Sequence, residues 1–300
     1  MDYSVHLNTS ARWLNEHAFI VVIAIASIAL IAEGTRRLGS RDAATVAKSA
    51  WFRTWLTNLG LLVCALVVTW VLAPWISPAF SVALSGQTGL LVWLEVPTNT
   101  YAGYVFLGVL LLDLLTYGLH RLFHKLPILW RLHQVHHSDS AVNASTHFRQ
   151  HPAQDFVIPL MQLPVLWFMG ISGVSWVLYA ALSTGAQVWQ HSENCRSARV
   201  DRWLGVALIT PLAHLTHHDQ RQQFHDQNYG ALFSAWDRLF GTYVASPAKF
   251  QLGLPHLPSS TRTTKLVSFM DCLRMPFRST ASPSESSAPT PFHTHFQGKK

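Results

Sequence analysis

The 300-residue chain predicts an all-α fold: an integral membrane helical bundle with a cytoplasmic helical cap that carries a histidine-rich site. Three observations predict it. Hydrophobic residues make up 49% of the chain and charged residues only 12%, about half the charge of a usual soluble domain. Apolar runs that approach the length of a bilayer span recur from Ala18 to Trp189. Histidines then gather at helical spacing beside those runs, five of them between His120 and His137.

The first run, Ala18 to Ala32, lacks the basic start and cleavage site of a signal peptide, so it reads as an uncleaved span. Arg36, Arg37, Arg41, Lys48 and Arg53 follow it. A second span is expected over Leu59 to Ile76, interrupted late by Pro74, then a loop from Ser77 to Thr100 with no Lys or Arg. Span three is Tyr101 to Leu119, followed by Arg121, Lys125 and Arg131. Basic loops stay in the cytoplasm, which puts His120 on the cytoplasmic side. The same logic assigns the net charge of +7 to membrane topology and not to nucleic acid, because no basic stripe is present.

Phe156 to Trp189 is too long for one span and is broken by Pro159, Pro164, Gly170 and Gly173, which fits a hairpin of two short helices. From about His256 Ser, Thr and Pro dominate, the composition of a disordered tail. The chain divides accordingly. Residues 1–100 are N-terminal membrane helices, 101–245 a catalytic domain of spans plus cap, and 246–300 a tail largely disordered from about 256.

Cys64, Cys195 and Cys272 are too sparse for a disulfide framework or a CxxC zinc site. The imidazoles are different. His120 and His124 stand four apart, on one helical face with Asp113 and Tyr117. His133, His136 and His137 form an HxxHH, and His214, His217 and His218 repeat it. Eight rings on three helical faces exceed the four ligands of one tetrahedral metal and suit two ions. His191 is a ninth candidate, with Gln187 four residues before it as a weak ligand or partner. Asp113 needs a partner inside the apolar run. An imidazole N–H would serve, and so would a donor on a neighbouring helix. His147 and His151 are also four apart, but Pro152 follows His151 and keeps the two off a shared helical face; Arg149 and His151 border the site. His6, His17, His225 and His256 stand alone, and His293 and His295 lie in the tail; none is given a role.

Imidazole binds iron, zinc, copper and nickel, and the lack of cysteine excludes a zinc ribbon or an iron–sulfur cluster. Two nitrogen-ligated metals at a membrane surface point to dioxygen activation against a lipid C–H bond, which offers nothing to polarise or deprotonate. Two alternatives stay open. A metal transporter or sensor would place ligands near the bilayer midplane. A metal-dependent lipid hydrolase would need no electrons.

The stretches D-x6-HRLFH, LWRLHQVHHS, THFRQHP, QVWQHSEN, TPLAHLTHHD and NYGALFSAWDRLFGTY occur in order between Asp113 and Tyr243. This set resembles the fatty acid hydroxylase and sterol desaturase superfamily of membrane di-iron oxygenases. The resemblance implies that His120, His124, His133, His136, His137, His191, His214, His217 and His218 hold two iron ions, for which zinc can substitute, with O2 as co-substrate. Gln187 stands where some members have a further histidine. Asn228, Tyr229, Gly230, Trp236 and Asp237 match a signature near the cap, Asp237 as a structural residue that bonds a ligand histidine. Gln154 stands where an acidic residue is common. The implied activity is hydroxylation or desaturation of a lipid: a sterol, sphingolipid, fatty acyl or carotenoid-like substrate. No HPGG haem segment and no GxGxxG are present. Electrons are therefore expected from a separate ferredoxin, or a cytochrome with its reductase, docked on Arg121, Lys125 and Arg131.

Overall fold

The computed structural model describes residues 45–94, 101–255, 257 and 267–278. These are helices and loops, with two isolated antiparallel bridges, Leu208 to Phe233 and Asp219 to Leu252, and no strand among the described residues. The expected span at Ala18 to Ala32 lies outside them.

Helix α1 covers Thr45–Ala83 and runs through Pro74 and Pro78. The sequence reading placed a span over Leu59 to Ile76 and a loop from Ser77, so the helix is longer at both ends than expected. A proline forfeits a backbone bond, but a long apolar helix can absorb that loss without stopping. Short helix α2 (Leu90–Trp93) leads to α3, Tyr101–Lys125. Within these, Trp51–Ala83 and Ala102–Lys125 are long and apolar enough to cross a membrane. Helix α4, Pro127–His137, follows after one residue, with Pro127 at its first turn, where the missing N–H costs nothing.

The expected hairpin is present. Helix α5 (Pro152–Met169) contains Pro159 and Pro164 and ends on Gly170, whose φ of 74° is left-handed. Helix α6 (Gly173–His191) starts on Ser172, whose side chain accepts from Ser175 N–H. Both helices begin or end a few residues beyond the apolar run, so the histidine His191 belongs to α6. Four short helices complete the cap: α7 (Ala198–Leu204), α8 (Pro211–His217), α9 (Gln222–His225) and α10 (Ala235–Leu239).

Helix α1 packs on α5 and on the 3-10 turn Ala144–Phe148, while α3 packs on α4 and α6. One apolar core joins Val109 and Leu112 of α3 to Leu166, Ile171, Tyr179 and Leu232. A second joins Leu61 of α1 and Trp130 and Val135 of α4 to Cys272 and Met275. Those last two lie within the segment read as tail, so residues 267–278 are an ordered exception to that reading. Helix α11, Phe269–Arg274, is packed, with Cys272 fully buried. The short apolar run that forms it is flanked by Ser, Thr and Arg, which dominate any composition window.

Between the cores lies a polar tie. Arg149 is 2% exposed. It donates to Asn58 Oδ1 on α1, to Ser138 Oγ and to the Val135 carbonyl on α4. Asn58 in turn donates to Ser145 Oγ. One buried guanidinium thus fixes α4 against α1, with its donors satisfied as burial demands.

Candidate metal centre

Three helices and one helix end bring the histidines together. The face of α3 presents His120 and His124, α4 presents His133, His136 and His137, α6 ends on His191, and α8 with its cap presents His214, His217 and His218. All nine candidates fall into two adjacent groups. His120, His124, His133, His137 and His217 form one; His136, His191, His214 and His218 form the other. Every member but His120, which is intermediate, is buried.

The nitrogens that converge are Nε2. His191 Nε2 lies 3.3 Å from His136 Nε2, 3.2 Å from His218 Nε2 and 3.1 Å from His214 Nε2. In the five-membered group His120 Nε2 and His133 Nε2 are 3.1 Å apart. Nitrogens around one tetrahedral ion, at metal–nitrogen distances of about 2.0–2.1 Å, sit about 3.3 Å apart. The outward nitrogens explain why Nε2 is free. Nδ1–H donates to the carbonyl of Tyr229 from His120 (2.8 Å), of Gln187 from His191 (2.6 Å) and of Gln227 from His217 (2.8 Å). A carbonyl can only accept, so each of these rings keeps its lone pair on Nε2. Buried ring nitrogens with no protein partner include His124 Nε2, His137 Nε2 and His217 Nε2. Orphaned lone pairs facing one another are costly unless a cation lies between them. Burial first, and neighbouring imidazoles second, hold His136, His137, His217 and His218 well below the usual imidazole range. The rings are therefore neutral, the form that binds a metal. The residues present fit two metal ions.

Asp113 touches no imidazole. Leu232 N–H and Tyr179 O–H donate to its Oδ1, and Phe233 N–H and Trp236 Nε1–H to its Oδ2. It clamps the cap segment onto α3, the neighbouring-element alternative. Asp237 also lacks a histidine partner. Tyr229 N–H and Thr242 O–H donate to Oδ1, and Gly230 N–H to Oδ2, at 2.7–2.8 Å. Its link to the cluster runs through one residue, because the Tyr229 carbonyl is the acceptor for His120. The NYG signature follows from this approach. Asn228 takes a left-handed φ of 54° and its side chain bridges the Ala213 and Val244 backbones. A Cβ on Gly230 would meet Asp237 Oδ2 at 2.9 Å and Phe233 O at 2.7 Å.

Gln187 contributes its carbonyl to His191, while its side chain bonds His147 and lines a cavity of about 100 Å³ beside the rings. That cavity also meets His120, His133, His136 and His214, the apolar Leu119, Phe123 and Ile158, and the amides of Gln150, Gln154, Gln162 and Gln190. His151 turns away; it caps α5 and donates to the Leu273 carbonyl. His147 stands 6.4 Å from His191, centroid to centroid, outside both groups.

Two residues escaped the sequence reading. His225, dismissed as isolated, sits 5.3 Å from His124, and Asp226 joins both. Asp226 Oδ1 lies 3.5 Å from His124 Nδ1 and 3.2 Å from His225 Nδ1, and Lys125 and Tyr229 also bond it. Burial alone would raise this carboxyl, but the bonds from His124, His225 and Lys125 outweigh it and hold it below the usual range. A carboxylate behind an imidazole raises its basicity as a ligand. Only the closeness of HDQNYG to the cap signature could have signalled it.

A family model described as fatty acid hydroxylase matches residues 105–242. Alkylglycerol monooxygenase of Danio rerio is 34% identical over 151 residues, 50% of this chain and 32% of the relative. The Homo sapiens protein of that name is 32% identical over the same length, again 50% of this chain and 32% of the relative. Lathosterol oxidase of Mus musculus is 29% identical over 153 residues, 51% of this chain and 48% of the relative. The chain spans about a third of the length of these alkylglycerol monooxygenases. No solved structure matches it.

Proposed function

We propose, on the match of residues 105–242 to the fatty acid hydroxylase family model, that the protein is a membrane-bound, O2-dependent di-iron oxidoreductase that hydroxylates or desaturates a lipid. The observation that carries this reading is the pair of all-imidazole groups, four and five strong, with Nε2 atoms at metal-ligand spacing and no cysteine among them. The relatives' names, monooxygenase and oxidase, point the same way.

His120, His124, His133, His137 and His217 would hold one ion, and His136, His191, His214 and His218 the other. Bound iron supplies the redox chemistry by which dioxygen attacks an unactivated C–H bond. The chain does the rest. Main-chain carbonyls of Tyr229, Gln187 and Gln227 keep the proton on Nδ1 of three rings. Asp226 supports His124. The cavity beside His120 and His136, walled by Leu119, Phe123 and Ile158, receives the reacting carbon. Apolar α3 and α5 supply the lipid-facing route. The basic residues Arg121, Lys125 and Arg131 are exposed at the start of the cap; they face the cytoplasm and dock the carrier that delivers electrons.

The test is oxygen uptake by iron-loaded protein in lipid nanodiscs, with a reduced ferredoxin or cytochrome and a membrane lipid extract. The expected product gains one oxygen atom or loses two hydrogens by mass. Hydrolysed lipid without oxygen uptake, or metal transport into sealed vesicles, would replace this reading.

A further inference from the structure

The two metal groups are joined by a chain of four side chains. His133 Nδ1 lies 3.3 Å from Gln154 Oε1, Gln154 Nε2–H donates to Gln150 Oε1, and Gln150 Nε2 lies 3.3 Å from His136 Nδ1. His133 belongs to the five-membered group and His136 to the four-membered one. Gln154 is 2% exposed, and its partners in this chain are the two side chains on either side of it.

This chain has a proton count that cannot satisfy both ends. A ring that binds a metal through Nε2 carries its proton on Nδ1 and must donate from there. Each carboxamide offers one acceptor and one donor end. Two carboxamides bonded to each other in series therefore present an oxygen to one imidazole and an N–H to the other. Turning both amides over exchanges the ends and leaves the mismatch. His120, His191 and His217 face carbonyls and escape it. As the side chains stand, His133 donates to Gln154, whereas His136 accepts from Gln150 and carries its proton on Nε2, the nitrogen directed at His191.

We infer that the Gln150–Gln154 pair makes the two metal sites unequal, biasing His136 toward the tautomer that does not coordinate through Nε2 and so weakening the four-histidine site. Gln150 and Gln154 are thus positioning residues that act through the rings. The inference rests on the dimetal reading above. A single carboxylate would remove the mismatch. Glu at 154 accepts from His133 with one oxygen and from Gln150 with the other, which frees the Gln150 carbonyl to turn toward His136. Glu at 150 does the same from the opposite side. Carboxylates at both positions would face each other without a shared donor.

The experiment uses the full chain in detergent, metal-depleted and reloaded with Zn(II), which imidazole binds without redox chemistry. Metal per protein is followed by mass spectrometry against graded chelator, and folding by gel filtration. Wild type should hold two ions and release one at a lower chelator concentration. Gln154→Glu and Gln150→Glu should each move that release ten- to hundredfold toward the other, the range for a partner that orients a ligand. The double variant should fall back to the wild-type pattern or below it. A purely structural role predicts no gain from either single change. Wild type that releases both ions together, or folded single variants with unchanged release, would overturn the inference. Wild type that binds no zinc would instead overturn the dimetal reading itself.

Discussion

Helices α1 and α3 both carry a span-length apolar segment, yet they do different work. Outward-facing α1 leaves Trp70 78% and Trp75 81% exposed, and its buried polar residues, Thr54 and Asn58, sit near its start. Helix α3 buries Asp113, Tyr117 and His124 on one stripe with His120 beside them. The first helix is specified by composition alone, which lipid can satisfy anywhere along it. The second is specified position by position, because each polar group on its stripe has a particular partner across the bundle. Hydropathy finds both; only the spacing of the polar exceptions tells them apart.

Substitutions along the two helices can break that contrast. The largest effect is expected at His124→Ala. It should lose activity beyond the ten- to hundredfold typical of an orienting partner, and lose metal with it, in a protein that still folds by gel filtration. Asp113→Asn comes next. Its new N–H₂ faces the donors of Phe233 and Trp236, so stability should fall by about 2 kcal/mol, the cost of stranding buried donors. Metal per folded molecule should stay unchanged, since no imidazole leans on Asp113. A drop in metal content would show that the stripe works as one unit after all. Gly108→Ala should cost about 1–3 kcal/mol in thermal or denaturant unfolding, the range for overpacking. Its Cβ would sit 2.5 Å from Ser175 Oγ on α6. Gly118→Ala, ten residues along the same helix, meets nothing within 4 Å and should gain up to about 1 kcal/mol from helix propensity. The smallest effect is expected on α1, where Trp70→Leu should stay within about 0.5 kcal/mol. A larger loss there would mean that α1 too has a specific partner.

The stripe on α3 and the two HxxHH copies were legible because helical periodicity turns sequence spacing into spatial neighbourhood. What the spacing could not show is what lies opposite. The four donors of Asp113 are two backbone amides, a tyrosine and a tryptophan from 66 to 123 residues away. Asp237 looked like a histidine partner but works through the Tyr229 peptide, and backbone amides leave no trace in a motif. Asp226 and His225 were passed over because neither falls in a repeat; the end of the short helix α9 delivers them. The C-terminal helix was obscured by its serine-rich surroundings, although Phe269 lies against Gly60 of α1 and Cys272 is sealed in the core.

Three imidazoles take their alignment from the peptide carbonyls of Tyr229, Gln187 and Gln227. An alanine scan cannot delete those oxygens, so it would score part of the scaffolding around the cluster as silent. Replacing an amide linkage by an ester, which weakens the carbonyl as an acceptor while leaving every side chain in place, would expose what conventional mutagenesis passes over.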